Sequence, residues 1–510
     1  MIGEPPATIL DLLARGRDED PAILAPDRPP LRFAPLRALL CEVAGVLRAR
    51  GLGPEDRVAL VLPNGPEAAT AFLAVACAAA SAPLNPAYRE EELDFYLEDL
   101  KAKAIVVSDR EQGPAVTVAQ RRGLELLRLS VPEGAEAGRF TLGEAPPIAP
   151  RPAPEATALL LHTSGTTSRP KLVPLSHANL AASARHIVDT LALSPADRCL
   201  NVMPLFHIHG LVAGVLASLA AGGSVYCAPG FNALRFFAWL EDARPSWYTA
   251  VPTMHQAILA RAERNPEILA RSRLRLIRSS SASLPPQVMR ALEDVFRCPV
   301  IESYGMTEAA HQMTSNPVPP RPRKPGSVGL PAGPLVRIAD PAAPVFLEDG
   351  AEGEVVVSGP NVTRGYEANP EANAKAFFEA EGRRWFRTGD QGRFDTDGYL
   401  RITGRLKEII NRGGEKVSPL EVDEVLMDHP AVAQCVTFAI PHDKLGEEVG
   451  AAVVLREGAS ATEQEIRAFA AERLADFKVP RKIVIVPEIP KGPTGKLQRI
   501  GLAQRLGLAR

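Results

Sequence analysis

Four short stretches gather the residue types that handle phosphate, a divalent cation and a sugar diol. The first, His162-TSGTTSRP-Lys171, is crowded with hydroxyls and closes on a lysine. Successive backbone N–H groups with Ser and Thr hydroxyls make an anion-binding concavity, and Lys171 adds a point charge. The ligand this suits is phosphate. The pattern G-x-x-x-x-G-K-[ST] occurs nowhere in the chain, which argues against a P-loop NTPase. The second stretch, SYGMTEAAHQM, supplies Thr307 and Glu308 after the strand-like PVIESY. A carboxylate near phosphates suits Mg²⁺, which is usually held by one or two carboxylates plus phosphate oxygens. The third, WFRTGDQGRFDTDGYLRITGR, puts Asp390 in a tight turn and Arg405 beyond the next β run. A fixed carboxylate is the usual grip on a ribose diol. The fourth, PKGPTGKLQR, carries Lys496 in a glycine-flanked loop expected to be mobile. Each stretch alone has a plain alternative: a solvated Ser/Thr turn, a surface Thr-Glu pair, a common Thr-Gly-Asp turn, a solvated lysine.

Elements of alternating type must position these loops. Before the first runs EATALLL, a strand; after it LVPLSHANLAASARHIVDTL opens a helix with Ser176 as N-cap. A glycine-and-hydroxyl turn at the C-terminal end of a strand is where α/β sheets place ligands. Further upstream DRVALVLPNG reads as strand, PEAATAFLAVACAA as helix, SAPLNP as strand and turn, EELDFYLEDL as helix. That rhythm predicts α/β layers with mostly parallel pairing. From about Gly326 the texture changes to Gly/Pro-punctuated β runs, GSVGLPAGPLVRIAD and EGEVVVSGP, as in a hairpin-rich β subdomain. The charged, glycine-rich GRLKEIINRGGEKVS follows. Beyond it an α+β tail is expected, with helices over 419–428 and 462–475 and strands AQCVTFAIP, VGAAVVL and KIVIVPEIP.

At 510 residues the chain exceeds the size at which one hydrophobic core stops growing, so at least two domains are expected. Its 58 basic and 60 acidic side chains nearly cancel, so no nucleic acid partner is implied. The six cysteines (Cys41, Cys77, Cys199, Cys227, Cys298, Cys435) are scattered without C-x-x-C spacing and read as small core residues in a reducing compartment. Cysteine and histidine spacing shows no metal site. MIGEPPATILDLLARGRDEDP lacks the basic start and apolar run of a signal peptide. The C-terminal GLAR is not a peroxisomal address. The apolar segments 68–83 and 211–228 are broken by small residues, proline or Gly222-Gly223, and read as a buried helix turning into a strand. A cytoplasmic protein without membrane insertion, monomer or homodimer, is expected.

Taken together and in this order, the stretches resemble the adenylate-forming superfamily of acyl-CoA synthetases, adenylation domains and luciferases. The resemblance covers essentially the whole chain. It implies an N-terminal domain over 1–404, with its β-rich part from about 326, a hinge at 405–408 and a mobile domain over 409–510. It also implies two half-reactions: a carboxylic acid and Mg-ATP give an acyl-adenylate and pyrophosphate, then the thiol of coenzyme A displaces AMP. Position by position, Thr163, Ser164, Gly165, Thr166, Thr167 and Lys171 resemble the loop around the β- and γ-phosphates. Thr307 resembles the α-phosphate contact and Glu308 the Mg²⁺ ligand. Asp390 and Arg405 resemble the ribose grip, and Lys407 the hinge residue. Lys496 resembles the catalytic lysine that bridges carboxylate and α-phosphate. Ser281, Ala282 and Ser283, with Glu302, Ser303 and Tyr304, resemble the adenine-facing walls. The chain departs from the pattern at Ser168 and Leu172, where glycine is usual, which bears on the loop's conformation.

The acid-binding wall is expected between MPLFHIHG, SSSASLPP and TEAAHQM. The segments WYTAVPTMHQAIL, SSSASL and TEAAHQMTSNP–RKPGSVG resemble the oxalyl-CoA synthetase branch, in which the equivalents of His207, Ser281 and His311 are implicated in holding the second carboxylate. A polar wall suits a small, polyfunctional acid, because burying unpaired polar groups against an alkyl tail costs several kcal/mol. Rival expectations are a medium-chain or aromatic acyl-CoA ligase, a stand-alone enzyme loading a carrier-protein thiol, and a non-catalytic nucleotide-binding protein.

Overall fold

The computed structural model describes residues 5–163, 170–491 and 497–509. Two large sheets dominate. One has six strands, ordered Glu125–Leu129, Ala104–Ser108, Arg57–Val61, Ala80–Pro83, Thr157–His162 and Leu172–Ser176. All neighbours run parallel except the last pair, which is antiparallel. The other has nine strands with a parallel centre: Ser224–Cys227, Arg198–Asn201, Trp247–Ala250, Leu276–Ser279 and Val300–Met306. Its edge is extended antiparallel by His311–Ser315 and Leu330–Pro331. Near-continuous Val, Ile, Leu and Ala runs in these strands suit a sheet covered on both faces. One buried cluster spans elements of both sheets, including Phe72, Leu159, Val173, Leu211 and Ile301.

The two segments read as helix turning into strand are so arranged. Pro66–Ala76 leads to Ala80–Pro83, and the π-helix His209–Leu216 runs through Ala217–Ala220 into Ser224–Cys227. Among the described residues no helix is long and apolar enough to cross a membrane.

The β-rich part is a five-stranded antiparallel sheet of Leu335–Ala339, Gly353–Ser358, Arg383–Phe394, Phe377–Ala380 and Leu400–Arg405. The run GSVGLPAGPLVRIAD divides: Leu330–Pro331 pairs with the nine-stranded sheet, and Leu335–Ala339 opens the smaller one. Gly333 turns the chain between them at φ +124, beside His186.

The tail folds as Glu415–Val417, Ile410–Arg412, Gly446–Leu455, Val432–His442 and Lys482–Ile485, covered by Pro419–Met427 and Glu463–Ala471. Ser418 and Thr462 cap those helices by accepting the N–H groups of Glu421 and Glu465. The second helix stops four residues short of the expected 475. Asp476 then opens a 3₁₀ turn instead.

Candidate active site

The base of the first loop is a closed β rung. Thr163 N–H donates to Lys171 O at 2.9 Å, directly beyond the His162–Leu172 pair. LVPLS is a strand antiparallel to Thr157–His162, not the start of the helix; His177–Leu191 follows it, capped by Ser176 in a reciprocal box with Asn179. Ser164, Gly165, Thr166, Thr167 and Ser168 lie outside the described residues, as does Lys496.

Lys171, half-buried, points its ammonium at the ring of Tyr366, 4.3 Å from the centroid. The Tyr366 hydroxyl donates to Glu308 Oε1 at 2.9 Å. One aromatic ring thus stands between a cation and an anion. Burial pulls the Lys171 ammonium below the usual lysine range, with Lys407 and Lys375 adding to the shift and Glu308 opposing it. Burial likewise lifts the Glu308 carboxyl above the ordinary range, against the pull of Tyr366 and Lys171.

Thr307 and Glu308 sit in a 3₁₀ turn, Thr307–Ala309, between Val300–Met306 and His311–Ser315. Two features make this hairpin tight. A Cβ on Gly305 would lie 1.6 Å from His311 O, and His311 itself takes φ +100. Asn361 fastens the turn by donating to Ala309 O and Gln312 O, while Thr363 N–H donates to Glu308 O.

Asp390 is not in a tight turn. It lies inside the twelve-residue strand Arg383–Phe394, opposite Arg405. The pairing jumps from Glu354–Gln391 to Val356–Arg387, so the strand bulges there, with Gly389 at φ +74. Glu354 pins the bulge through the Gly389 N–H and the Arg387 guanidinium. Thr-Gly-Asp reads locally as a turn, but this buried carboxylate draws it into the sheet. Asp390 Oδ2 accepts the Tyr304 hydroxyl at 2.5 Å, and Oδ1 lies 3.0 Å from Arg405 Nε. Burial and the Asp390 charge raise the Tyr304 hydroxyl well above its ordinary range. Asp390 also raises that of Arg405.

Glu302 and Ser303 are buried, whereas Ala282 and Ser283 are exposed. Ser281 takes φ +75, a left-handed conformation that costs a non-glycine residue about 1 kcal/mol. Its hydroxyl lies 3.1 Å from His209 Nδ1. His209 Nε2 meets Thr249 Oγ1 at 2.6 Å, and the His209 ring stacks on His311 at 4.9 Å. His311 Nε2 lies 3.1 Å from Arg278 Nη1. Ser281 and His311 are therefore brought together through His209. His207 stands half-buried two residues earlier, against Phe206.

Three residues here escaped sequence reasoning. His209 shares HIHG with His207 and opens a π-helix, whose wide turn no local pattern announces. Arg278 interrupts the apolar strand Leu276–Ser279, a signal available in LRLIRSSS. Tyr366 lies in a loop with no motif of its own.

This arrangement places the Lys171 ammonium, the Glu308 carboxylate, a Tyr–Asp–Arg group and a polar imidazole cluster around one hairpin. The sequence pattern of the family described as AMP-binding enzyme matches residues 13–367, and that of the AMP-binding enzyme C-terminal domain matches 421–496. The chain belongs to the AMP-binding enzymes, the superfamily its motifs resemble. Among relatives, the oxalate–CoA ligase of Arabidopsis thaliana is 46% identical over 463 residues, covering 89% of either chain. The oxalate–CoA ligase of Saccharomyces cerevisiae is 41% identical over 481 residues, covering 88% of this chain and 87% of that one. The crystal structure of ATP-bound MatB from Rhodopseudomonas palustris superposes with a TM-score of 0.89 at 32% identity, covering 98% of each chain.

Proposed function

We propose that this AMP-forming acyl-CoA synthetase activates oxalate, or a comparably small acid with a second polar group, and passes it to coenzyme A. The observation that carries the reading is the Ser281–His209–His311 cluster, which sits beside the Thr307–Glu308 turn and is polar where an alkyl chain would need an apolar wall. The two oxalate–CoA ligase relatives support it.

On this reading the 163–171 loop and Lys171 hold the β- and γ-phosphates, and Thr307 the α-phosphate. Asp390, steadied by Tyr304 and Arg405, takes the ribose diol. Ser281–Ser283 and Glu302–Tyr304 flank the adenine. Glu308 fits Mg²⁺, being a buried carboxylate within the field of Lys171; together with phosphate oxygens it supplies the oxygen ligands that ion prefers. Bound there, Mg²⁺ would neutralise charge on the phosphates. A carboxylate oxygen attacks the α-phosphorus, and the bond to the bridging oxygen of pyrophosphate breaks. Like charges oppose that approach, so fixed cations and donors must be in place beforehand. Lys496 bridges the acid and the α-phosphate in this step. The domain over 409–510 then turns about Lys407, from the hinge at 405–408, and the CoA thiolate attacks the acyl carbon, releasing AMP. Six free thiols suit a reducing, cytoplasmic setting.

Pyrophosphate release with Mg-ATP and CoA, compared for oxalate, octanoate and 4-coumarate, tests the proposal. Turnover is expected with oxalate. A preference for octanoate or 4-coumarate would replace it with the longer-acid reading.

A further inference from the structure

Arg278 is wholly buried, at 0% exposure, on the central strand Leu276–Ser279. Buried guanidinium groups are ordinarily matched by a carboxylate, because an isolated buried charge is costly. Among the described residues no carboxylate pairs with it. Its Nη1 faces His311 Nε2 at 3.1 Å and His209 Nε2 at 3.5 Å, and its Nη2 donates to Gln312 Oε1 at 3.3 Å. Its Nε has no hydrogen-bond partner among the described residues. Burial pulls its pKa down to about 9, still charged at neutral pH.

A guanidinium only donates. Each imidazole nitrogen facing Arg278 must therefore be an acceptor, which puts the ring proton of a neutral His209 or His311 on Nδ1. For His209 that nitrogen is the one beside Ser281 Oγ, so His209 donates to Ser281. Ser281 then has its own O–H to give. A serine held at φ +75, one hydrogen bond from a doubly anchored imidazole, is a donor fixed in place before any acid arrives. Behind it stands a positive charge that no carboxylate among the described residues compensates.

We propose that Arg278 is the specificity-determining positioning residue of the acid pocket: it fixes His209 and His311 as Nδ1–H donors, and its unmatched charge favours acids with a second carboxylate. This rests on the reading of the pocket as one for oxalate. Arg278 acts through the two imidazoles and is not itself assigned a contact with the acid. A merely structural arginine would affect all acids alike, whereas this one separates dianions from monoanions.

The test compares oxalate with glyoxylate, which is similar in size but carries one carboxylate. Pyrophosphate release is measured for the wild type, Arg278→Met and Arg278→Lys. In Arg278→Met the KM for oxalate is expected to rise about 10–100-fold, the scale of a lost charge-linked hydrogen bond, and the oxalate-to-glyoxylate ratio of kcat/KM to fall likewise. Arg278→Lys, keeping the charge without the planar fork, should recover part of that ratio. A Met variant that keeps the wild-type ratio overturns the proposal, as does a Lys variant no more selective than the Met variant. Should Arg278→Met fail to fold, the Lys variant decides: a reduced ratio supports the assignment, and parity with wild type overturns it. A wild type that favours glyoxylate would sink the oxalate reading itself, and with it the proposal, before any variant is made. A failing variant beside an oxalate-selective wild type removes only the part given to Arg278.

Discussion

Glu302 accepts the Leu284 N–H through Oε1 at 2.9 Å, while its Oε2 has no hydrogen-bond partner among the described residues. Burial pushes the carboxyl up from 4.5 to about 8. A folded-state pKa above the unfolded value means the fold holds the proton more tightly. The resulting stability is fully present below pH 4.5 and is lost as pH rises through about 8. Glu302→Gln removes that dependence. Melts of the two proteins from pH 5 to 9 should diverge by several degrees, with wild type falling behind as pH rises; parallel curves would show that Glu302 ionises freely. Asp390, Thr307 and Glu308 were singled out by their motifs; the structure sets the latter two in the hairpin turn and Asp390 against Tyr304 and Arg405. Arg278, His209 and Tyr366 were not legible in the sequence, because their meaning lies in what faces them across strands far apart in sequence. An arginine in an apolar run reads as an edge or an error until the strands beside it are known.

Elements were legible wherever pattern and capping agreed. Ser176 caps its helix as expected, and the β-rich middle and α+β tail follow their period. Failures fell where a tertiary contact overrode local chemistry. Glu354 drew Thr-Gly-Asp into a bulged strand, and Leu330–Pro331 went to a different sheet from Leu335–Ala339. The hairpin between Val300–Met306 and His311–Ser315 matters most, since it carries Glu308 towards Tyr366 and Lys171 and His311 towards the imidazole cluster. Gly305 sets its width. Gly305→Ala must push against the His311 carbonyl, 1.6 Å from the new Cβ, and backbone cannot swing aside as a side chain does. A loss of about 1–3 kcal/mol is expected, the usual cost of overpacking. Weaker adenylation of every acid should accompany it. Denaturant melts with pyrophosphate assays check both, and a variant with wild-type stability would mean the strands can part there freely.

At the scale of the whole molecule, few polar links among the described residues join the tail to the rest. Ser418 donates to Thr403 O, Arg401 pairs with Glu424 at 2.5 Å, and Gln256 reaches Ala433 O at 3.4 Å. The largely exposed Arg401–Glu424 pair contributes little, typically below about 1 kcal/mol. Arg499, three residues beyond Lys496, binds Asp423 at 2.6 Å and lies 3.5 Å from Glu408 in the turn after Arg405. The exposed Lys407 donates no backbone hydrogen bond among the described residues. Proline there therefore removes no such bond from this arrangement and only freezes φ. If the tail swings about this residue, Lys407→Pro should slow thioester formation at least ~10-fold, an arrested rotation of over about 1.4 kcal/mol, while sparing adenylate formation. Equal slowing of both half-reactions, followed separately by pyrophosphate and CoA-thioester assays, would count against the swing.

Asp390 and Arg405 face each other on the final rung before the chain leaves the small sheet, and Leu406 donates to Gly389 O just beside them. If the tail turns where the proposed function puts its hinge, a sugar clasped by that rung would press on the axle. Nucleotide would then serve as a brake as well as a reactant, and the tail would idle most loosely in the interval after AMP departs.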